Sequence, residues 1–118
     1  DDVEPALVTM VDRSGPAIYF QLKGDLAPST LAELLLEIDR HLGTRGRRVV
    51  FDVSLLRELD NGVRLECLSR MLERAKNHDS QIRLVSYDDR ILDILKSEEA
   101  TRRLPLFNSK AEAIMSFR

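Results

Sequence analysis

Few residues in this sequence have the types and spacing that chemistry needs. The most informative group lies between Val49 and Gly62. Asp52 follows the apolar run Val49-Val50-Phe51, and an acid on a central strand has the chemistry of a phosphoryl acceptor. Ser54 stands two residues further on and carries a hydroxyl that a kinase can modify. Asp60-Asn61-Gly62 comes next, just before the sequence changes period. Asp or Asn there can cap the orphan N–H groups of a helix, and Gly permits a tight turn into it. This turn is where function is expected.

The other reactive residue types are poorly placed. His41 and His78 are far apart, with no Cys or His at ligand spacing, so no metal is expected and each reads as an exposed helix-end histidine. Cys67 is the single cysteine, which excludes an internal disulfide. It falls on the apolar side of a helical pattern and reads as a small core residue. The sequence contains neither G-x-x-x-x-G-K-[ST] nor G-x-G-x-x-G, so no nucleotide cofactor is expected. There is no G-x-S-x-G elbow either, although sequence alone does not exclude a Ser-His-Asp triad. Arg45, Arg47 and Arg48 form a basic loop. Phosphate binding there stays open, but nothing aromatic or Gly-rich accompanies the charges, which favours a solvated loop.

Size and charge bound the rest. A chain of 118 residues suits one domain, here 1–118. The composition, 43% apolar and 32% charged, is that of an ordinary globular protein. A net charge of −2 advertises no nucleic acid or anionic membrane as partner. No apolar run is long enough for a bilayer, and no signal peptide is visible, so a cytoplasmic domain without membrane insertion is expected. The sequence starts at Asp1, which leaves open both a trimmed chain and a domain of a longer protein.

The elements that must position the turn follow from periodicity. Leu7 to Val11 reads as a strand, closed by the turn-forming Asp12-Arg13-Ser14-Gly15-Pro16. Ala17 to Lys23 alternates strictly, with Ile18, Phe20 and Leu22 on one face, and should form a hairpin with the first strand. Thr30 and Glu33 have capping-box spacing before the stripe Leu31, Leu34, Leu35, Ile38 and Leu42, and Gly43 ends that helix. Val49 to Val53 is a strand buried on both faces, and Ser54 to Leu59 a polar connection. A helix follows, with Leu65, Leu68, Leu72 and Ala75 at helical spacing. Gln81 to Tyr87 is a strand, and Asp88-Asp89 caps a third helix. Leu104 to Phe107 suits a short edge strand, where Pro105 is tolerated. Ser109 and Glu112 repeat the capping-box spacing before a last short helix. The order β-β-α-β-α-β-α-(β)-α gives an α/β fold with a mixed, largely parallel sheet after an initial hairpin.

Gly24-Asp25-Leu26, Val49-Val50-Phe51-Asp52-Val53-Ser54, Leu59-Asp60-Asn61-Gly62 and the closing Ala113-Ile114 helix together resemble the STAS domain of sulfate transporters and anti-sigma factor antagonists. The resemblance covers nearly the whole chain. It implies a four- or five-stranded sheet with helices mainly on one side, and a role without catalysis. In soluble antagonists of this family the domain binds a serine-kinase, anti-sigma-type ATPase that otherwise holds a sigma factor. The family's turn is Asp-Ser-Ser-Gly, and phosphorylation of its first serine releases the partner.

This sequence departs from that motif. Without a gap, Asp60 matches the motif Asp, Asn61 the phosphorylated serine, Gly62 the second serine and Val63 the glycine. Asn61 has no hydroxyl, so the expectation is a permanently unphosphorylated turn that binds constitutively, or control elsewhere; Ser54 is the nearest alternative acceptor. The resemblance implies a binding surface of Asp60, Asn61, Gly62 and Arg64, with Glu66, Ser69, Asp25 and Ala27 beside it. The STAS domain of an anion transporter and an accessory subunit of a lipid-transport ATPase remain alternatives. So does a receiver-like phosphoacceptor at Asp52. A receiver, however, has an acidic pair after its first strand and a lysine before a late proline, where this chain has Asp12-Arg13 and Leu104-Pro105. The simpler expectation for Asp52 is a strand-end acid bonded to a loop.

Overall fold

The computed structural model describes residues 4–43 and 47–117. Arg45, with Thr44 and Gly46, lies outside the described residues, so the basic loop is seen only at Arg47 and Arg48. The elements are β1 (Leu7–Asp12), β2 (Ile18–Gly24), α1 (Leu31–Leu42), β3 (Arg48–Leu56), α2 (Gly62–Asn77), β4 (Gln81–Val85), α3 (Asp89–Ser97), β5 (Leu106–Phe107) and α4 (Lys110–Met115).

The sheet runs β1-β2-β3-β4-β5 in sequence order. β1 pairs antiparallel with β2, and every later pairing is parallel. A sheet that advances in one direction through right-handed crossovers places every crossover helix on the same face. The core shows this: α1, α2 and α3 bury Leu34, Ile38, Leu68, Met71 and Leu95 against Phe20, Leu22, Phe51 and Leu84. Phe20 and Phe51 stack across β2 and β3 at 5.3 Å between centroids. The opposite face carries a smaller cluster, where Ala113 and Phe117 of the C-terminal segment cover Tyr19, Val50 and Val85. Strand order never reverses, so the sheet has no switch-point crevice of the kind that holds ligands in doubly wound folds.

The structure corrects several local readings. β3 does not stop at Val53 but runs to Leu56. Its register against β2 shifts between Gln21 and Lys23, which lets Leu56 return to the helix-side core after Ser54 and Leu55. Asp52 therefore lies within the strand and not at its end. It is buried, and it accepts hydrogen bonds from the Tyr19 hydroxyl and from Ser54 N, so its partners include a neighbouring strand's side chain. Thr30 makes no side-chain cap; its hydroxyl donates to Ala27 O instead. β4 ends at Val85 and β5 is only Leu106–Phe107. The histidines do sit at helix ends, but both are engaged. His41 meets Arg13 and the Phe20 ring, and His78 bridges Asp39 and Gly43 O.

Candidate functional site

The β3–α2 connection is built from the end of β2 outward. Gly24 has φ +118°, and a Cβ there would meet Pro5 O at 2.7 Å, so only glycine lets the N-terminal segment cross this close. Asp25 N donates to Glu4 O, Ala6 N to Asp25 O, and Arg57 N to Gly24 O. Three distant stretches thus meet at the Gly24-Asp25 pair. The Asp25 side chain completes the junction. Its carboxylate accepts from Glu4 N at 2.9 Å and from Arg64 at 2.6 Å, with Arg57 Nε at 3.5 Å. The Glu4 amide, and after it the Arg64 guanidinium, holds the Asp25 carboxyl below the usual carboxylate range against the opposing effect of burial. Arg64 also donates to Arg57 O. Asp25 is 2% exposed, so its carboxylate serves to seat α2 and presents nothing to a partner.

From Arg57 the chain turns outward. Glu58 adopts a left-handed φ of 52°, Leu59 buries its side chain, and Asn61 N donates back to Glu58 O. Asn61 is extended (φ −95°, ψ 128°), and its side-chain oxygen accepts from Val63 N at 2.9 Å, a helix N-cap. Asp60, Asn61, Gly62 and Val63 are all exposed. Gly62 lacks a positive φ, and a Cβ there would meet nothing within 4 Å, so the expected tight glycine turn is absent. The first turn of α2 carries no acid, leaving the positive end of the helix dipole uncompensated within the turn.

Asp60 stands between two depressions. One, of about 620 Å³, separates the β3–α2 connection from the start of α3 and is lined by Ser54, Leu59, Asp60, Asp88 and Ile91. The other, of about 680 Å³, follows α2 toward the α3–β5 connection between Leu65, Glu66, Ser69, Glu98 and Glu99. The candidates Glu66 and Ser69 lie here, with Glu66 exposed and Ser69 half-buried. Ala27, also half-buried, accepts from Thr30 N. Exposed Leu55, Val63 and Tyr87 belong to the same end of the sheet. Ser54 is half-buried, and its hydroxyl oxygen accepts from Tyr87 N at 2.7 Å.

A polar network on the α4 face escaped the sequence reading. Lys110 Nζ pairs with Asp12 at 2.6 Å and lies 4.5 Å from the Tyr19 ring centre, while Lys110 N donates to the Tyr87 hydroxyl. Burial, together with the Asp52 carboxylate, pushes the Tyr19 phenol well above its ordinary value. Only the alternation that aims Tyr19 away from Phe20 hinted at this pairing. Among the described residues no group of His, Cys, Asp and Glu is arranged to hold a metal ion, and no helix is long and apolar enough to cross a membrane.

Comparison with solved structures adds a match over nearly the full chain. An anti-sigma-factor antagonist (STAS) domain protein from Planctomyces limnophilus superposes with a TM-score of 0.67, covering 96% of this chain and 97% of that one at 14% identity. The chain has the fold of a STAS domain. No family model matches the sequence, and no curated protein does so significantly.

Proposed function

We propose that this STAS fold is a non-catalytic protein-interaction module of the anti-sigma factor antagonist kind, and that the exposed start of α2 contacts its partner. The observation that carries the reading is the Asn61 turn. It is exposed, follows a β3–α2 connection anchored through Asp25, Arg57 and Arg64, and presents a neutral amide at the positive end of a helix with no acid in its first turn. In a partner-switching module a phosphate at this place adds roughly −1.5 to −2 charge. Asn61 cannot take that phosphate, so no kinase acting at this residue takes the turn out of its neutral, binding form. The partner would be a serine-kinase, anti-sigma-type ATPase. Asp60, Asn61, Gly62 and Val63 would make contact, with Arg64 and Asp25 holding them in position. Phosphorylation of Ser54 is a weaker route to control, because its oxygen already serves Tyr87 N.

The test is a pull-down with the wild-type domain beside Asn61→Glu, read by mass spectrometry. Recovery of such an ATPase by the wild type alone supports the reading. Equal recovery by both variants, whether of an ATPase or of transporter subunits, removes the turn from the interface.

A further inference from the structure

We infer that Asn61–Gly62 is a self-acting modification site, at which the neutral turn converts to a carboxylate by deamidation without a kinase. Three observations support this. Asn-Gly occurs once in the chain, and both residues are exposed. Gly62 is required neither by its backbone conformation nor by its surroundings, since its φ is not positive and a Cβ would meet nothing. The absence of a side chain at Gly62 leaves its amide nitrogen the least hindered nucleophile that can follow an asparagine.

The chemistry needs only water. The Gly62 backbone nitrogen attacks Asn61 Cγ, an N–Cγ bond forms, the Cγ–Nδ2 bond breaks, and ammonia leaves with the amide proton. Water then opens the cyclic imide. Cleavage of the new N–Cγ bond gives aspartate, and cleavage of the bond to the main-chain carbonyl gives isoaspartate. Asparagine plus water becomes a carboxylate plus ammonia. In the closed turn the Asn61 side-chain oxygen is held by Val63 N, so ring closure waits on opening of the first turn of α2. The Arg64–Asp25 pair limits that opening to the residues before Arg64. The aspartate product keeps a good N-cap and suits the helix dipole. The isoaspartate product adds a backbone atom and frays the turn. Either places a negative charge where a kinase would have put one. That consequence rests on the reading of this turn as the partner surface; the modification itself does not.

The experiment ages the folded domain in mildly alkaline and mildly acidic buffer and follows the tryptic peptide Glu58–Arg64. Expected is progressive replacement of the asparagine form by aspartate and isoaspartate, faster in alkali, while the peptides holding Asn77 and Asn108 lag. Gly62→Ala should slow the conversion severalfold with an unchanged circular dichroism spectrum. Asn61 changing no faster than Asn77 and Asn108 would overturn the inference, as would an equal rate in Gly62→Ala. Binding by fresh and aged protein of whatever partner the fresh domain recovers separates the two claims. A turn that converts while binding persists defeats the partner-surface reading and leaves the modification site standing.

Discussion

α2 and α3 begin in the same way and are held differently. Each follows a parallel strand of the sheet, and each is capped by a side-chain oxygen that accepts from the backbone two residues on, Val63 N for Asn61 and Arg90 N for Asp88. The start of α3 is closed. Ser86 is fully buried; its hydroxyl accepts from Asp88 N and donates to Asp88 O, while Ser54 takes Tyr87 N. The cap is itself an acid, followed by Asp89 in the first turn. The start of α2 is open, with a neutral cap and no acid in its first turn. Its tether lies behind it, in the Asp25–Arg64 pair. One helix start is consumed by the fold. The other has an exposed cap and no acid in its first turn, which is where an added charge has the most to act on.

The comparison is broken most severely at Asp25. Asp25→Asn removes the anion that joins Glu4 N, Arg64 and Arg57, and should lower the thermal midpoint more than any single change at the start of α3. Its pH dependence gives the sign. The folded carboxyl sits below its unfolded value of about 3.9. The stabilisation is therefore complete at neutral pH and is lost as pH falls from about 4 through the folded value. Melting curves of wild type and Asp25→Asn should be well separated at neutral pH and converge in acid. A gap that persists unchanged in acid would show that the charge is not what seats α2.

Ser86→Ala comes next. It leaves Asp88 N without its partner, while Asp88 O keeps its bond from Leu92 N, so the cost is about 1–3 kcal/mol for the one unsatisfied donor. Denaturant unfolding should show a loss in that range. A loss near zero would mean that the start of α3 is as adjustable as that of α2.

How much of this contrast could be read in the sequence depends on how far apart the partners are. Asn61, Asp88 and Ser109 were legible as caps because a cap bonds two or three residues away. The helical stripes and the buried run Val49–Val53 were legible because periodicity is local. Thr30 looked equally good and failed, since its backbone turns with Ala27 and the hydroxyl follows. Asp25 was placed beside the binding surface by the STAS resemblance, yet it is buried. Its burial comes from Glu4 and Arg64, 21 and 39 residues away, and no local pattern carries that. Asp52 was seen as unusual, but its partner Tyr19 is 33 residues away on the neighbouring strand.

The smallest effects sharpen the contrast furthest. Asp88→Ala and Asn61→Ala each delete one cap and should cost about 1 kcal/mol, at the lower end for Asn61 because its turn is exposed. Asn61→Asp should change stability by only a few tenths of a kcal/mol, since Asn and Asp cap almost equally well. The added charge also meets a helix end with no acid in its first turn, which offsets repulsion from Asp60. Stability and binding are thereby separated at one residue. If Asn61→Asp melts like wild type yet loses its partner, the charge itself is what the partner rejects. If it melts like wild type and still binds, the open start of α2 is open for another reason. If it unfolds like Asn61→Ala, the amide donates a bond that the carboxylate cannot, and the cap is less interchangeable than its single contact with Val63 N implies.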